Sequence, residues 1–151
     1  MMGADNFIII CPRCRAKNRI RGDRWGDRAT CGKCHSPLPA LAAFPERTVE
    51  IFDWNFKNEV LDFPGPVLVE FYAPWCGYCQ RMAPAIEELG REYAGRVKVA
   101  QINIDLNRHT ASEYKIQSTP SLFFFRNGRL VDQILGAVPK EELERHLRPL
   151  L

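Results

Sequence analysis

All six cysteines of the chain stand in C-x-x-C pairs: Cys11/Cys14, Cys31/Cys34 and Cys76/Cys79. No other feature constrains the fold as much. Secreted disulfide scaffolds space their cysteines irregularly, whereas repeated two-residue spacings point to metal binding or redox chemistry. The three pairs have different surroundings. "CPRC" and "CGKC" lie in a polar, basic stretch, while "CGYC" closes the apolar run "VLVEFYAPW".

The first two pairs fit the C-x₂-C-x₁₅₋₂₀-C-x₂-C pattern of a zinc ribbon. Two thiolates three positions apart on a tight turn can share one metal, and Pro12 and Gly32 suit such turns. Two such knuckles supply four sulfurs, so Cys11, Cys14, Cys31 and Cys34 are the candidate ligands of a closed, structural Zn²⁺ site. A module of roughly 40 residues buries too little surface to fold well unaided, so the metal would supply folding free energy. Two reversible disulfides are the alternative, and zinc release on oxidation would make the ribbon a redox sensor. His35 is expected to be a bystander.

Charge divides at the same place as the cysteines. Of 21 Lys+Arg and 18 Asp+Glu, residues 1–45 hold 8 and 3 (+5), leaving 13 and 15 (−2) for residues 46–151. A Cys₄ zinc site would lower the first value by two. The cations Arg13, Arg15, Lys17, Arg19, Arg21 and Arg24 raise the reading of a module that binds nucleic acid or an acidic protein. With one aromatic, Trp25, and no stacking series, a solvated basic face is the stronger expectation.

The composition, 46% hydrophobic and 26% charged, is that of a soluble globular protein. No segment reaches the ~20 apolar residues of a membrane span. "FIII" follows Asp5 without a basic n-region, so no secretory signal is expected, and a cytoplasmic location follows. The chain divides into residues 1–45, ribbon and linker, and residues 46–151, a compact domain. "HSPLPALAAFPE" reads as linker or docking segment.

Beyond residue 46 the pattern is regular. "TVEIFD" is strand-like, and Asp53 can cap a short helix over Trp54–Leu61. "VLVEFYA" has the continuous apolar character of a strand covered on both faces. Met82, Ile86, Leu89 and Tyr93 recur at helical spacing, with Pro84 predicting a kink. "VKVAQINID" is a second central strand, and Arg108–Lys115 suits a short helix. "SLFFF", Asn127-Gly128 and "RLVDQILG" form a hairpin. A last amphipathic helix starts at Pro139 and carries Leu143, Leu147 and Leu150. The order β-α-β-α-β-α-β-β-α predicts the α/β class, with a mixed sheet and helices on both faces.

Cys76 stands where a strand hands over to a helix. Unpaired N–H groups and the positive end of the helix dipole stabilise a thiolate there, and the thiolate is the attacking species in thiol–disulfide exchange. Cys79, one turn later, can resolve a mixed disulfide formed by Cys76. A third metal knuckle is the alternative, but no fourth pair completes a second site. Glu70, inside a doubly covered strand beneath the helix start, should have a raised pKa and could take the proton from Cys79. The alternative leaves it solvated at the strand edge.

"FYAPWCGYC", "STPSLFFFRNG" and "GAVPKEEL" together resemble the thioredoxin family across residues 48–151. With "CPRC" and "CGKC" in front, the chain is similar to its zinc-containing cytosolic subclass. The resemblance implies protein-disulfide reduction with no bound cofactor for catalysis. It implies a cis peptide at Thr119–Pro120 beside Cys76, with the Thr119 backbone pairing an extended substrate. It implies a docking surface that includes Trp75, Gly136 and Ala137, with Gly77 and Tyr78 between the cysteines. It also implies a monomer recharged by a flavin-containing, NADPH-dependent thioredoxin reductase. Three positions depart from the pattern: Tyr78 replaces the usual proline, Glu70 the usual Asp, and Gln101 the frequent Lys. "CGYC" is instead similar to periplasmic disulfide isomerases, which keeps an isomerase or oxidase activity as the alternative. Losing the Lys should raise the Glu70 pKa further, and Tyr78 should make the disulfide a better oxidant by ~30 mV or more.

Overall fold

The computed structural model describes residues 6–11, 13–21, 29–38 and 47–151. Pro12, Arg24, Trp25 and residues 39–46 of the proposed linker lie outside them.

Among the described residues the ribbon contains two short hairpins. β1 (Asn6–Ile10) pairs antiparallel with β2 (Lys17–Arg21), and β3 (Ala29–Thr30) with β4 (Pro37–Leu38). Among the described residues Cys11, Cys31 and Leu38 are buried together, with Cys14, Ala16, Ala29 and Cys34 packed against them.

The second unit is a five-stranded mixed sheet in the order β5-β7-β6-β8-β9. Its strands are β5 (Val49–Ile51), β6 (Pro66–Tyr72), β7 (Lys98–Asn103), β8 (Ser121–Arg126) and β9 (Arg129–Leu135). β7 runs parallel to β5 and β6, while β8 is antiparallel to β6 and β9. The helices are α1 (Gly77–Glu92), α2 (Arg108–Glu113) and α3 (Lys140–Leu147). Period-two alternation sends β6 side chains to two separate cores. Leu68, with Val99, Leu122 and Phe124, meets Met82, Ile86 and Leu89 of α1 and Leu143 and Leu147 of α3. On the other face Val67, Val69 and Phe71 join Ile51, Phe56, Val60, Ala100, Ile102, Phe123 and Phe125. That is why "VLVEFY" reads as an apolar run broken only by Glu70.

α1 carries Pro84 inside and continues to Glu92. The β8–β9 turn has φ of 52° at Asn127 and 80° at Gly128, both left-handed as a two-residue hairpin turn demands. A Cβ on Gly128 would also lie 2.1 Å from the Leu61 carbonyl oxygen, so this glycine is fixed twice over.

The segment after β5 departs from expectation. Instead of a capped helix over Trp54–Leu61 there is a turn, then a single π-helical turn over Lys57–Leu61 closed by Asp62 N–H to Lys57 C=O at 2.7 Å. Asp53 caps a different helix. Its carboxylate accepts from the backbone N–H groups of His109 (3.3 Å) and Thr110 (2.9 Å) and from the Thr110 hydroxyl (2.6 Å). Those N–H groups belong to the first turn of α2, where they would otherwise lack partners. Burial pushes the Asp53 carboxyl up, but the bonds from Thr110 and His109 outweigh it and hold it below the usual range. The cap works in space rather than in sequence.

Candidate functional site

The site lies at the end of the sheet where β6 and β7 stop and β8 begins, the usual place for chemistry in an open α/β sheet. β6 gives way at Tyr72 to a tight turn in which Cys76 N–H bonds Ala73 C=O at 3.1 Å. Cys76 is the N-cap of α1, with extended backbone (φ −84°, ψ 110°), and its Sγ accepts the Cys79 N–H at 3.1 Å. Sulfur thus occupies the position that a Ser or Asp oxygen takes in an ordinary cap. Cys76 and Cys79 are joined as a disulfide with Cα atoms 5.3 Å apart, and both side chains are buried.

Exposed groups surround the buried sulfurs. Trp75 and Tyr78 are 70% and 62% exposed, so this rim is apolar and open to a partner. Trp75 Nε1 donates to Asp105 at 2.9 Å, which fixes the indole, and the Arg81 guanidinium lies 5.2 Å over the Tyr78 ring. Gly77 is exposed, and a Cβ added there would meet no atom within 4 Å. The Thr119–Pro120 peptide is cis. Ser121 pairs with Phe71, so Pro120 lies at the same end of the sheet as the cysteine turn. Gly136 N–H bonds the Pro120 carbonyl at 2.9 Å. Gly136 takes φ of 104°, a conformation that side chains disfavour, and Ala137 beside it is exposed.

Glu70 is 3% exposed, with no hydrogen-bond partner for Oε2. Burial, and then the charge of Glu50, push its carboxyl up to about 7. Lys98, also buried in the sheet, makes a useful contrast. Its ammonium is paired, donating to Glu59 Oε1 at 2.7 Å and to the Glu59 carbonyl at 3.1 Å. Buried charges are ordinarily paired in this way, and a buried carboxyl with an unpartnered oxygen beside a reactive centre is a functional candidate.

Glu50 was not among the sequence candidates. It faces the same side of the sheet as Glu70, with Gln101 between them in register. Alternation in Val49-Glu50-Ile51 could have placed it opposite the core side chains, but the strand order that brings it near Glu70 is non-local.

The ribbon cysteines form a second centre. Their sulfurs all lie within 4.8 Å of one another, with Cys11···Cys34 at 3.7 Å and Cys14···Cys31 at 3.6 Å. A tetrahedron with Zn–S bonds of ~2.3 Å has edges of about 3.8 Å, so the donor set fits the metal. The knuckles repeat one backbone design. Cys11 N–H bonds Ala16 C=O and Arg15 N–H bonds Cys11 C=O; Cys31 N–H bonds Ser36 C=O and His35 N–H bonds Cys31 C=O. Arg15 and His35 hold equivalent left-handed positions, φ 66° and 62°. His35 is exposed and outside the ligand cluster. Asn18 ties the knuckles together, accepting from Gly32 N–H at 2.9 Å while its amide approaches Cys31 Sγ at 3.6 Å. The backbone N–H groups of Cys34 and Lys33 push the Cys31 thiol down to about 6.

A strand-to-helix dithiol on a five-stranded mixed sheet defines a thiol–disulfide oxidoreductase of the α/β class. A family model described as Thioredoxin matches residues 47–149, and one described as Thioredoxin 2, N-terminal matches residues 10–36. The chain is 47% identical over 104 residues to a thioredoxin of Synechocystis sp., covering 69% of this chain and 97% of that protein. It is 47% identical over 102 residues to thioredoxin 1 of Nostoc sp. (65% and 95%) and 43% over 117 residues to a chloroplastic M-type thioredoxin of Pisum sativum (75% and 67%). The chain belongs to the thioredoxin family and is a protein-disulfide reductase, with an N-terminal zinc-ribbon region whose four cysteines are positioned to bind a metal.

Proposed function

We propose that the chain reduces protein disulfides through a mixed-disulfide intermediate. The Cys76 thiolate attacks one sulfur of the substrate disulfide, and the other substrate sulfur leaves as thiolate. Cys79 then gives its proton to Glu70 and attacks Cys76 Sγ. The second substrate sulfur leaves, and two electrons have passed from the dithiol to the substrate. The reading rests above all on the Cys79 N–H held against Cys76 Sγ at the start of α1, the setting that stabilises a thiolate. The Thr119 backbone, turned by cis Pro120, would pair an extended substrate. Trp75, Gly77, Tyr78, Gly136 and Ala137 would form the surface that it meets.

Cys11, Cys14, Cys31 and Cys34 would hold Zn²⁺ as thiolates, giving the ribbon a crosslink in place of a larger core. Residues 1–45 and 46–151 act as ribbon with linker and as catalytic unit. Family membership implies protein disulfides as substrates and thioredoxin reductase as electron donor. A flavin-containing, NADPH-dependent reductase, a monomeric state and a cytoplasmic location complete the proposal. No helix among the described residues is long and apolar enough to cross a membrane.

Insulin reduction coupled to NADPH and thioredoxin reductase tests the reading. Turnover should disappear in Cys76→Ser, and Cys79→Ser should accumulate a covalent substrate adduct on Cys76. Full turnover by Cys76→Ser would refute it. Tyr78 between the cysteines favours disulfide isomerisation as a second reading. Slow insulin reduction with efficient refolding of scrambled substrates would establish that instead.

A further inference from the structure

One row of side chains crosses the sheet beneath the start of α1. Glu50 of β5 is in register with Gln101 of β7, Gln101 with Glu70 of β6, and Glu70 with Leu122 of β8. Two carboxyls therefore flank a single amide, which is committed to one side. Gln101 Nε2 donates to Glu50 Oε1 at 2.7 Å, and the Tyr72 hydroxyl donates to Glu50 Oε2 at 2.8 Å. Both Glu50 oxygens are bonded, and the residue is half-buried. Glu70 is buried, with an oxygen that nothing meets.

Two neighbouring carboxyls do not lose their protons independently: a charge on one makes the second harder to ionise. The groups that the sheet sets beside Glu70 are Gln101 of β7 and Leu122 of β8 in register, Glu50 of β5 beyond Gln101, and Tyr72 of its own strand, whose hydroxyl feels the Glu70 charge. None of these is a cation. The backbones of Glu50 and Glu70 are two strand spacings apart, roughly 10 Å. At an effective dielectric of ~20, a unit charge at that distance displaces a titration by about one pH unit.

We propose that Glu50 is a positioning residue of the redox centre: a carboxylate clamped by Tyr72 and Gln101 whose charge opposes ionisation of Glu70, and so sets the pH at which the Glu70 carboxylate is available to take the proton of Cys79. This rests on the reading of Glu70 as the proton partner of Cys79, and it gives the unusual Gln101 a function. With its amide turned to Glu50, Gln101 fixes the charge and leaves Glu70 without a donor.

The test is the titration of the Glu70 carboxyl carbon, followed by NMR in oxidised ¹³C-glutamate-labelled protein. In Glu50→Gln, which retains size and an acceptor oxygen, the midpoint should fall by about one pH unit. Glu50→Asp retains the charge and should titrate close to the wild type. The same displacement should appear in the pH profile of Cys79 resolving a preformed mixed disulfide. An unmoved midpoint in Glu50→Gln, or equal displacement in both variants, overturns the proposal. Should Glu50→Gln not fold, Glu50→Ala removes the same charge from the half-buried end of the row, and an unmoved Glu70 midpoint there overturns the proposal. The underlying reading fails differently. There, Glu70→Gln would leave the pH profile of resolution unchanged, while Glu50→Gln still moved the Glu70 titration.

Discussion

The ribbon and the catalytic unit use the same C-x-x-C spacing to opposite ends. In the ribbon each pair sits on a turn whose last residue is left-handed, and the four sulfurs converge within 4.8 Å. In the catalytic unit the pair opens a sixteen-residue helix, and one sulfur takes the cap position of that helix. The first arrangement gathers four sulfurs around a point, whereas the second sets one sulfur at a helix N-terminus with a single partner in reach. Spacing sets how close two sulfurs can come, and the backbone around it decides whether they hold a metal or exchange electrons. The cores differ accordingly. The ribbon buries Cys11, Cys31 and Leu38, while the sheet is covered by an apolar layer on each face.

The largest effect should come from removing metal. Structural zinc supplies about 10 kcal/mol or more of folding free energy in small modules, far more than burial of Leu38 beside Cys11 and Cys31 supplies among the described residues. A chelator strong enough to strip the metal should collapse the amide dispersion of residues 6–11, 13–21 and 29–38 and leave that of residues 47–151 in place. NMR of one labelled sample reads both. A ribbon that stays folded without metal would erase the contrast between the two cysteine designs.

The next effect belongs to the catalytic unit. Glu70 is raised from its ordinary 4.5 to about 7, so the folded state binds a proton more tightly than the unfolded state. The contribution of Glu70 to stability is then greatest below about pH 4.5 and is lost as pH rises through about 7, by about 3 kcal/mol in total. In Glu70→Gln that loss disappears. Urea melts of the oxidised proteins at pH 4 and pH 8 should show the variant gaining about 3 kcal/mol on the wild type between the two. A constant difference would mean that Glu70 is solvated after all.

These two features were legible in the sequence to different degrees, for a physical reason. The cysteine pairs, the doubly covered strand and the Asn127-Gly128 turn are set by residues close together in the chain, and each appears where its pattern points. The buried position of Glu70 follows from the apolar run around it. Its neighbour Glu50 does not, because the two meet only through the order β5-β7-β6. Asp53 shows the same limit. Its position before a polar, helix-like stretch implies a local cap, yet its carboxylate reaches α2, more than fifty residues on. Local chemistry identifies the donor or acceptor, and tertiary structure chooses the partner.

A smaller effect should sharpen the comparison at the catalytic pair. Tyr78 occupies the second position of α1 and keeps an N–H at the helix start, where proline would have none. Under the proposed mechanism that N–H would add to the field favouring a Cys76 thiolate, and so would favour the dithiol form. Tyr78→Pro should make the disulfide harder to reduce, lowering its potential by ~30 mV, or ~1.4 kcal/mol. Equilibration against a glutathione buffer measures the change. An unaltered or higher potential would show that the residue between the cysteines acts through something other than the helix start.

The smallest effect tests whether strain in the ribbon is felt at its metal. Arg15 and His35 hold φ of 66° and 62°, where a side chain costs ~1–2 kcal/mol that glycine avoids, against glycine's entropic penalty of ~0.5–1 kcal/mol. Arg15→Gly should therefore stabilise the folded knuckle by about 0.5 kcal/mol. Because the ribbon is taken to fold only as it binds, the gain should appear as roughly twofold tighter zinc binding. Lys115 provides the matching position in the catalytic unit, with φ of 55° just after α2. Lys115→Gly should raise the melting temperature of that unit slightly and leave zinc affinity unchanged. Competition with a chromophoric chelator, run on both variants, separates the outcomes. Equal zinc affinity in Arg15→Gly and wild type would mean that the knuckle is already formed before the metal arrives.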